Sequence, residues 1–79
     1  MTRRAIVTGA SRGIGRAIAQ RLGKDGWQVI NLDRQPPAGE EAGARWVEID
    51  LADAAALTVC LAQLLEEGPV TGLVNNAGI

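Results

Sequence analysis

The chain has 79 residues, of which 47% are hydrophobic, and it carries a net charge of −1. This length suits one small domain or part of a larger one, and the near-neutral charge argues against nucleic acid as a partner. The apolar runs are too short to span a membrane. The single cysteine, Cys60, rules out an internal disulfide and favours the cytoplasm; with no histidine present, a metal site is not expected either.

The first half of the chain predicts a strand, a helix and a second strand. Residues 5–8 form a short apolar segment typical of a buried strand. A helix is predicted from residue 14, because apolar residues recur there at helical spacing. The predicted buried face consists of Ile14, Ala17, Ile18 and Leu22. Gly23 and Gly26 are both positions at which this helix can end, and residues 27–32 predict a second strand that leads into Asp33.

The second half predicts a loop, a strand, a helix and a fourth strand. Residues 35–43 contain two prolines and two glycines and predict a loop. Residues 45–50 alternate like a strand that is exposed on one face. Asp53 is a candidate helix start, and Gly68 with the following proline ends that helix before a strand at 71–75. The predicted buried stripe of this helix consists of Leu57, Cys60, Leu61, Leu64 and Leu65.

This alternation of strands and helices predicts an α/β fold. Right-handed crossovers would give a Rossmann-like doubly wound parallel sheet with about four strands in the order 3-2-1-4, which is an incomplete version of that sheet. We expect residues 1–79 to be the N-terminal portion of a dinucleotide-binding domain. The fourth strand would otherwise be an exposed apolar edge, so we expect a C-terminal remainder of the same protein to cover it.

The most informative segment is the glycine-rich run TGASRGIG at residues 8–15, between the first strand and the first helix. Gly9 allows a tight turn, Gly13 allows close approach of a bound group, and Gly15 allows the helix to pack against the sheet. The first amides of that helix and the positive end of its dipole suit a pyrophosphate. The segment therefore predicts dinucleotide binding.

Asp33 lies roughly 20 residues beyond the glycine turn, at the carboxyl end of the second strand, where a carboxylate can bind the adenosine ribose. It can also be an ordinary surface aspartate that begins a turn. A ribose-binding aspartate would repel the 2′-phosphate of NADP, whereas Arg12 and Arg34 could bind that phosphate. We expect NAD, with NADP less favoured, because a held aspartate outweighs arginines that are free to swing into solvent.

Two further strand ends carry candidate residues. Asp50 can accept a hydrogen bond from the adenine amine, with the Leu51 amide at a ring nitrogen. Asp50 or Asp53 can equally cap the following helix. The Asn-Asn-Ala-Gly segment at 75–78 has two amides followed by small residues, which suit a backbone lying against a ribose, although asparagine at a strand end is often only a turn residue.

Taken together, these motifs resemble the short-chain dehydrogenase/reductase family, and the resemblance runs in order through the whole chain. It implies that Ser11, Arg12 and Ile14 line the cofactor phosphates and ribose. It also implies that Asp33 holds the adenosine ribose, that Asp50 and Leu51 hold the adenine, and that Asn75 with Ala77 and Gly78 lies on the nicotinamide side. The full expected cofactor-binding set is Gly9, Ser11, Arg12, Gly13, Ile14, Gly15, Asp33, Arg34, Asp50, Leu51, Asn75, Ala77 and Gly78.

The chain departs from the family pattern in two places. The link containing Pro36 and Pro37 is too short for the helix that usually joins the second and third strands. In this it is similar to dihydroxybenzoate dehydrogenases and type II hydroxyacyl-CoA dehydrogenases. The family's catalytic serine, Tyr-x-x-x-Lys pair and active-site asparagine lie beyond these 79 residues, which contain no tyrosine. Because that tyrosine is the family's general acid/base, we expect no catalytic residue in this chain and no turnover by it alone.

The resemblance implies the cofactor-binding part of an enzyme that, when complete, transfers a hydride between NAD(P) and an alcohol/ketone substrate. One alternative is a non-catalytic dinucleotide-binding module or redox sensor, which would keep the glycine turn and Asp33 but lack the Tyr-x-x-x-Lys pair. Another is a truncated product that serves only as an interaction fragment. The expected partners are the C-terminal remainder, a small-molecule substrate and, for the complete protein, further copies of itself; neither nucleic acid nor a membrane is expected.

Overall fold

The computed structural model describes residues 3–37 and 44–76, which form a four-stranded parallel sheet with the strand order β3-β2-β1-β4. The elements are β1 (Arg4–Thr8), α1 (Gly13–Lys24), β2 (Gln28–Asp33), β3 (Ala44–Glu48), α2 (Ala54–Glu66) and β4 (Gly72–Asn75). The predicted fold class and strand order are confirmed. Residues 38–43 of the predicted loop lie outside the described residues, as do Ala77 and Gly78 of the predicted site.

The sheet has one apolar core on each face, and successive residues of the central strands belong to one core or the other in turn. Ile6 of β1 belongs to a cluster that contains Leu64 of α2, whereas Val7 belongs to a cluster that contains Ala19 of α1. The residues of β2 alternate between the same two clusters. The helices therefore cover opposite faces of the sheet, as expected for a parallel sheet buried on both sides.

The predicted buried face of α1 is partly wrong. The buried residues of this helix are Gly15 and Ala19, with Leu22 packed against their cluster, whereas Ile14 is 75% exposed and Ala17 is also exposed. The helix approaches the glycine turn so closely that only small residues fit at the contact. Of the predicted face, Leu22 packs against the core and Ile18 is half-buried, so a pattern that weighs large apolar residues finds only part of the buried side.

The end of α1 is set by Gly26 rather than by Gly23, which lies within the helix. Gly26 has a φ of +91°, and its N–H donates to the Gly23 carbonyl at 3.1 Å. The Trp27 N–H donates to the Leu22 carbonyl at 3.0 Å. These two bonds form a Schellman motif, in which a glycine in the left-handed region ends the helix without strain.

The start of α2 agrees with the sequence prediction, because the Asp53 side chain accepts the Ala56 N–H at 3.1 Å. Most of the predicted buried stripe packs against the core, and burial raises the pKa of the Cys60 thiol, against a smaller lowering by Arg45. That environment fits a packing residue better than a nucleophile. The prediction is wrong for Leu65, which is 58% exposed.

The side chain of Arg4, the first residue of β1, binds the carboxyl end of α2. Its guanidinium donates to the carbonyls of Leu64 at 2.9 Å and Gly68 at 2.7 Å, and its side chain is 10% exposed. The Glu67 carboxylate lies 3.4 Å from Arg4 and 2.6 Å from Arg45, and the hydrogen bond from Arg45 lowers the pKa of Glu67. Arg4 thus adds a charged donor to the Leu64 carbonyl, which also accepts the Glu67 N–H at 3.2 Å, and bonds the Gly68 carbonyl just beyond the helix.

Replacing Arg4 by alanine is expected to lower the free energy of unfolding by about 2–4 kcal/mol, because one buried and one partly buried carbonyl lose a charged donor. Urea unfolding followed by circular dichroism measures the change. Arg21→Ala is the matched control, since Arg21 pairs with Asp25 on the surface and its loss should cost less than about 0.5 kcal/mol. Equal losses in the two variants would contradict this role for Arg4.

One edge of the sheet is apolar and open among the described residues. There β4 pairs with β1 alone, and Leu73 of β4 is 70% exposed. Leu73, Leu65 and Val70 line a groove of about 600 Å³ on the α2 side of the sheet. A membrane crossing would need a longer and more apolar helix than either of those found in residues 3–37 and 44–76.

Candidate functional site

Because all the strands are parallel, their carboxyl ends meet at one edge of the sheet. Thr8 at the end of β1 lies opposite Leu32 of β2 and Asn75 of β4. The segments that follow these strands, including the glycine turn and Asp33, therefore belong to the same edge. Ligands of doubly wound folds bind in the crevice outside these strand ends.

The glycine turn has the backbone geometry that its sequence predicts. Gly9 and Gly13 have φ values of +68° and +62°, a region that residues with a β-carbon rarely adopt. A β-carbon at Gly13 would have no heavy atom within 4 Å, so the space beside the backbone is open. The Arg12 side chain is exposed and forms no cap on α1, which leaves the first helix amides without a side-chain acceptor from their own cap residue.

Gly15 marks the closest approach of α1 to the turn and to the end of β4. A β-carbon there would overlap the Gly9 carbonyl and the Asn76 side-chain nitrogen. Asn76 Nδ2 donates to the Gly9 carbonyl at 3.2 Å, and the Asn76 N–H donates to Thr8 Oγ1 at 2.9 Å. The packing role predicted for Gly15 is thus a contact among three elements, which only glycine allows.

The Asp33 carboxylate is half-buried and lies beside the glycine turn. Its Oδ2 accepts the Ser11 N–H at 3.4 Å, and its Oδ1 accepts the Gln35 N–H at 3.3 Å. Trp46 Nε1 donates to the Asp33 carbonyl oxygen at 3.1 Å. Asp33 therefore begins a turn, which is the role that the sequence indicated as the alternative to ribose binding. A carboxylate offers about four acceptor positions, so the same group can still accept hydroxyl donors from a ribose.

Asp50 and Asp53 have different local roles. Asp53 caps α2, whereas Asp50 Oδ1 accepts the Ala52 N–H at 2.9 Å in a local turn. Asp50 is exposed, and Leu51 is half-buried and lines the apolar groove. The helix-capping alternative therefore belongs to Asp53, and Asp50 remains a candidate for the adenine.

The other predicted site residues lie at the same end of the sheet. Ser11 is fully buried, while Ile14 and Arg34 are exposed. Asn75 Oδ1 accepts a hydrogen bond from Thr8 Oγ1 at 3.3 Å, so this side chain is tied to β1.

Residues that shape this site but escaped the predicted set are Thr8, Asn31 and Asn76. Asn31 Oδ1 accepts the Ala10 N–H at 3.0 Å, and Asn31 Nδ2 donates to Ser11 Oγ at 3.0 Å. The signal in the sequence was a polar residue in the middle of the apolar strand QVINLD. A polar residue in a buried strand needs partners there, which marks it as part of a local network.

Comparison with known proteins assigns the family. A profile described as short chain dehydrogenase matches residues 3–79. The 3-oxoacyl-[acyl-carrier-protein] reductase MabA of Mycobacterium tuberculosis is 42% identical over 80 residues, which cover 100% of this chain and 32% of that protein. The chain thus spans about a third of the length of this relative.

Solved structures give the same result. The ligand-free aldohexose dehydrogenase of Thermoplasma acidophilum superposes with a TM-score of 0.90 at 38% identity, covering 99% of this chain and 30% of that one. A variant of the actinorhodin polyketide ketoreductase with NADPH gives a TM-score of 0.80 at 34% identity, covering 99% and 34% respectively. By its sequence match and its Rossmann-like sheet, this chain belongs to the short-chain dehydrogenase family of oxidoreductases.

Proposed function

We propose that residues 1–79 form the cofactor-binding portion of an NAD(P)-dependent oxidoreductase. The observation that carries this proposal is the juxtaposition of the glycine turn with the Asp33 carboxylate, joined by the 3.4 Å contact from the Ser11 N–H. The open space beside Gly13 and the uncapped start of α1 suit a pyrophosphate. Asp33 lies beside the glycine turn at the end of β2, where it can bind the ribose. These features fit a dinucleotide, which when bound supplies or accepts the hydride.

Within this site we assign the predicted residues to parts of the cofactor. Ser11, Arg12 and the first turn of α1 would bind the phosphates and the adjoining ribose. Asp50 and Leu51 would contact the adenine. Asn75, together with Ala77 and Gly78, would lie on the nicotinamide side.

We favour NAD over NADP because Asp33 is held in place by two backbone amides. A fixed carboxylate at the ribose edge would oppose a 2′-phosphate. Arg12 and Arg34 are exposed near the same edge and favour NADP instead, and a structural neighbour contains NADPH. The balance between one held carboxylate and two solvent-exposed guanidiniums favours NAD.

The complete reaction would transfer a hydride between the nicotinamide and an alcohol/ketone substrate, of the hydroxyacyl or dihydroxybenzoate type. The hydroxyacyl class is supported by the similarity to the 3-oxoacyl-[acyl-carrier-protein] reductase. No tyrosine occurs in these 79 residues to act as the proton partner. Such a group would come from a C-terminal remainder of the protein, and the alternative of a non-catalytic binding module or redox sensor would lack it.

The C-terminal remainder is also the partner that we propose for the open edge. It would pair with β4 and cover the apolar groove next to Leu65 and Leu73, where the exposed fractions of the side chains are 58% and 70%. Relatives about three times longer have enough chain to do so. We further propose a cytoplasmic, homo-oligomeric complete enzyme; the unpaired Cys60 fits a reducing compartment.

The test is titration of the 79-residue chain with NADH, followed by the fluorescence of the reduced nicotinamide, together with an assay for oxidation of alcohols by NAD. We expect saturable binding and no turnover. Absence of binding at millimolar NADH would contradict the proposed function. Measurable NAD-dependent oxidation by this chain would contradict the assignment of the proton partner to a further segment.

A further inference from the structure

A buried amide lies beneath the glycine turn, in the middle of β2. Asn31 is 4% exposed, and both ends of its side chain are bonded, the oxygen to the Ala10 N–H and the nitrogen to Ser11 Oγ. The orientation of the amide is fixed, because only its oxygen can accept from Ala10. A polar side chain is stable in such a core only when its hydrogen bonds are made.

The hydrogen bonds continue from Asn31 into the loop after β2. Ser11 is 0% exposed, and its hydroxyl donates to the Gln35 carbonyl at 2.8 Å while accepting from Asn31. The Ser11 N–H and the Gln35 N–H both donate to the Asp33 carboxylate. Ser11 thus bonds the glycine turn directly to Asp33, the last residue of β2, and to Gln35 in the loop that follows.

We propose that Asn31 is a positioning residue that couples the glycine turn to the Asp33–Gln35 loop through Ser11. The inference rests on the proposed dinucleotide function for its ligand, but the coupling itself exists in the free protein. The two loops would hold the pyrophosphate and ribose subsites at one fixed separation. A ligand that spans both subsites then binds without first ordering the loops relative to each other, which is the benefit of preorganisation.

This role predicts a pattern across ligands that a general loss of stability would not produce. ADP spans both subsites, whereas adenosine uses only the ribose and adenine side. Asn31→Ala is expected to weaken ADP binding about tenfold and adenosine binding less than about threefold, because the Ala10 N–H and the Ser11 hydroxyl lose a partner. Ser11→Ala should act in the same direction, and the double variant should lose no more than the stronger single one.

The experiment is an NMR titration of the ¹⁵N-labelled 79-residue chain with ADP and with adenosine, under conditions in which each variant is folded by its amide spectrum. Gln28→Ala is the matched control, an exposed residue on the same strand, and should bind both ligands like the wild type. If Asn31→Ala fails to fold, the Asn31→Asp variant described in the next paragraph carries the test. Equal losses for ADP and adenosine, or losses below twofold for both, would overturn the proposal.

Asn31→Asp gives a second readout with a defined pH dependence. A protonated carboxyl offers one donor and one acceptor, as the amide does, whereas the ionised form offers acceptors only. Burial raises the pKa of such a carboxyl, so ADP affinity relative to the wild type should recover as the pH falls. Taking the ratio at each pH removes pH effects that both proteins share, including the titration of the ligand phosphates. A ratio that does not change with pH would count against the coupling.

The free chain separates this inference from the proposed function. In Asn31→Ala, hydrogen exchange at the Ala10 and Ser11 amides should accelerate at least tenfold, and the Gln35 amide signal should shift. If the wild type does not bind ADP, the proposed function is wrong. The exchange rates at Ala10 and Ser11 and the Gln35 amide signal then test the coupling on their own. Unchanged exchange together with an unchanged Gln35 signal would overturn it.

Discussion

Gly15→Ala is expected to destabilise the chain by about 3 kcal/mol or more, although alanine in a helix interior normally stabilises by up to about 1 kcal/mol relative to glycine. The added methyl group would overlap the Gly9 carbonyl and the Asn76 side chain, which meet at this point of α1. Backbone and side chain would both have to move, and the glycine turn would move with them. We therefore expect loss of NADH binding together with loss of stability, measured by urea unfolding and by titration.

Gly13→Ala is the control for this effect within the same turn. A β-carbon at Gly13 meets nothing within 4 Å, so the cost comes only from its φ of +62°. That conformation costs alanine about 1–2 kcal/mol. If Gly15→Ala proved neutral or stabilising, or cost no more than Gly13→Ala, the close approach of α1 to the turn would be wrong.

Asp33→Ala is expected to raise the affinity for NADP relative to NAD by about tenfold to a hundredfold. The physical reason is the removal of a carboxylate that would repel the 2′-phosphate, with Arg12 and Arg34 left nearby to attract it. The affinities for the two cofactors are measured on the same protein by competition with NADH. Asp33→Asn should shift the ratio in the same direction, and it keeps a side chain that can bond the Ser11 or Gln35 amide.

Two control variants separate the charge of Asp33 from general damage to the site. Asp50→Ala removes a carboxylate at the neighbouring strand end, where it bonds only locally to Ala52 among the described residues. It should weaken NAD and NADP equally. Arg34→Ala should weaken NADP more than NAD. An unchanged NAD/NADP ratio in Asp33→Ala would rule out the proposed role of this carboxylate.

The strand order could be predicted from the sequence because it follows from few constraints. Apolar strands that alternate with helices favour a parallel sheet, and the glycine turn identifies which strand is central. The helix ends could be narrowed to two residues each, Gly23 or Gly26 and Asp50 or Asp53, because these residue types have specific geometric roles there; the structure selects Gly26 and Asp53.

Contacts between distant segments were less accessible to sequence reasoning. The small face of α1 depends on how closely Gly9 and Asn76 approach Gly15, which no hydrophobic pattern contains. Leu65 was predicted to be buried as a member of the apolar stripe of α2, but its side chain lines the open groove and is 58% exposed. The partners of Asn31 lie on another segment, so the sequence revealed only an unusual polar residue.

The most direct test of the account is a titration of the ¹⁵N-labelled chain with NAD and with NADP, observed at the backbone amides. We expect saturable shifts at Ser11, Gly13 and Asp33, at lower concentrations of NAD than of NADP, while Val59 on α2 stays unchanged. Shifts confined to the groove beside β4, or no saturable shift at the glycine turn, would contradict a dinucleotide site at the carboxyl ends of the strands.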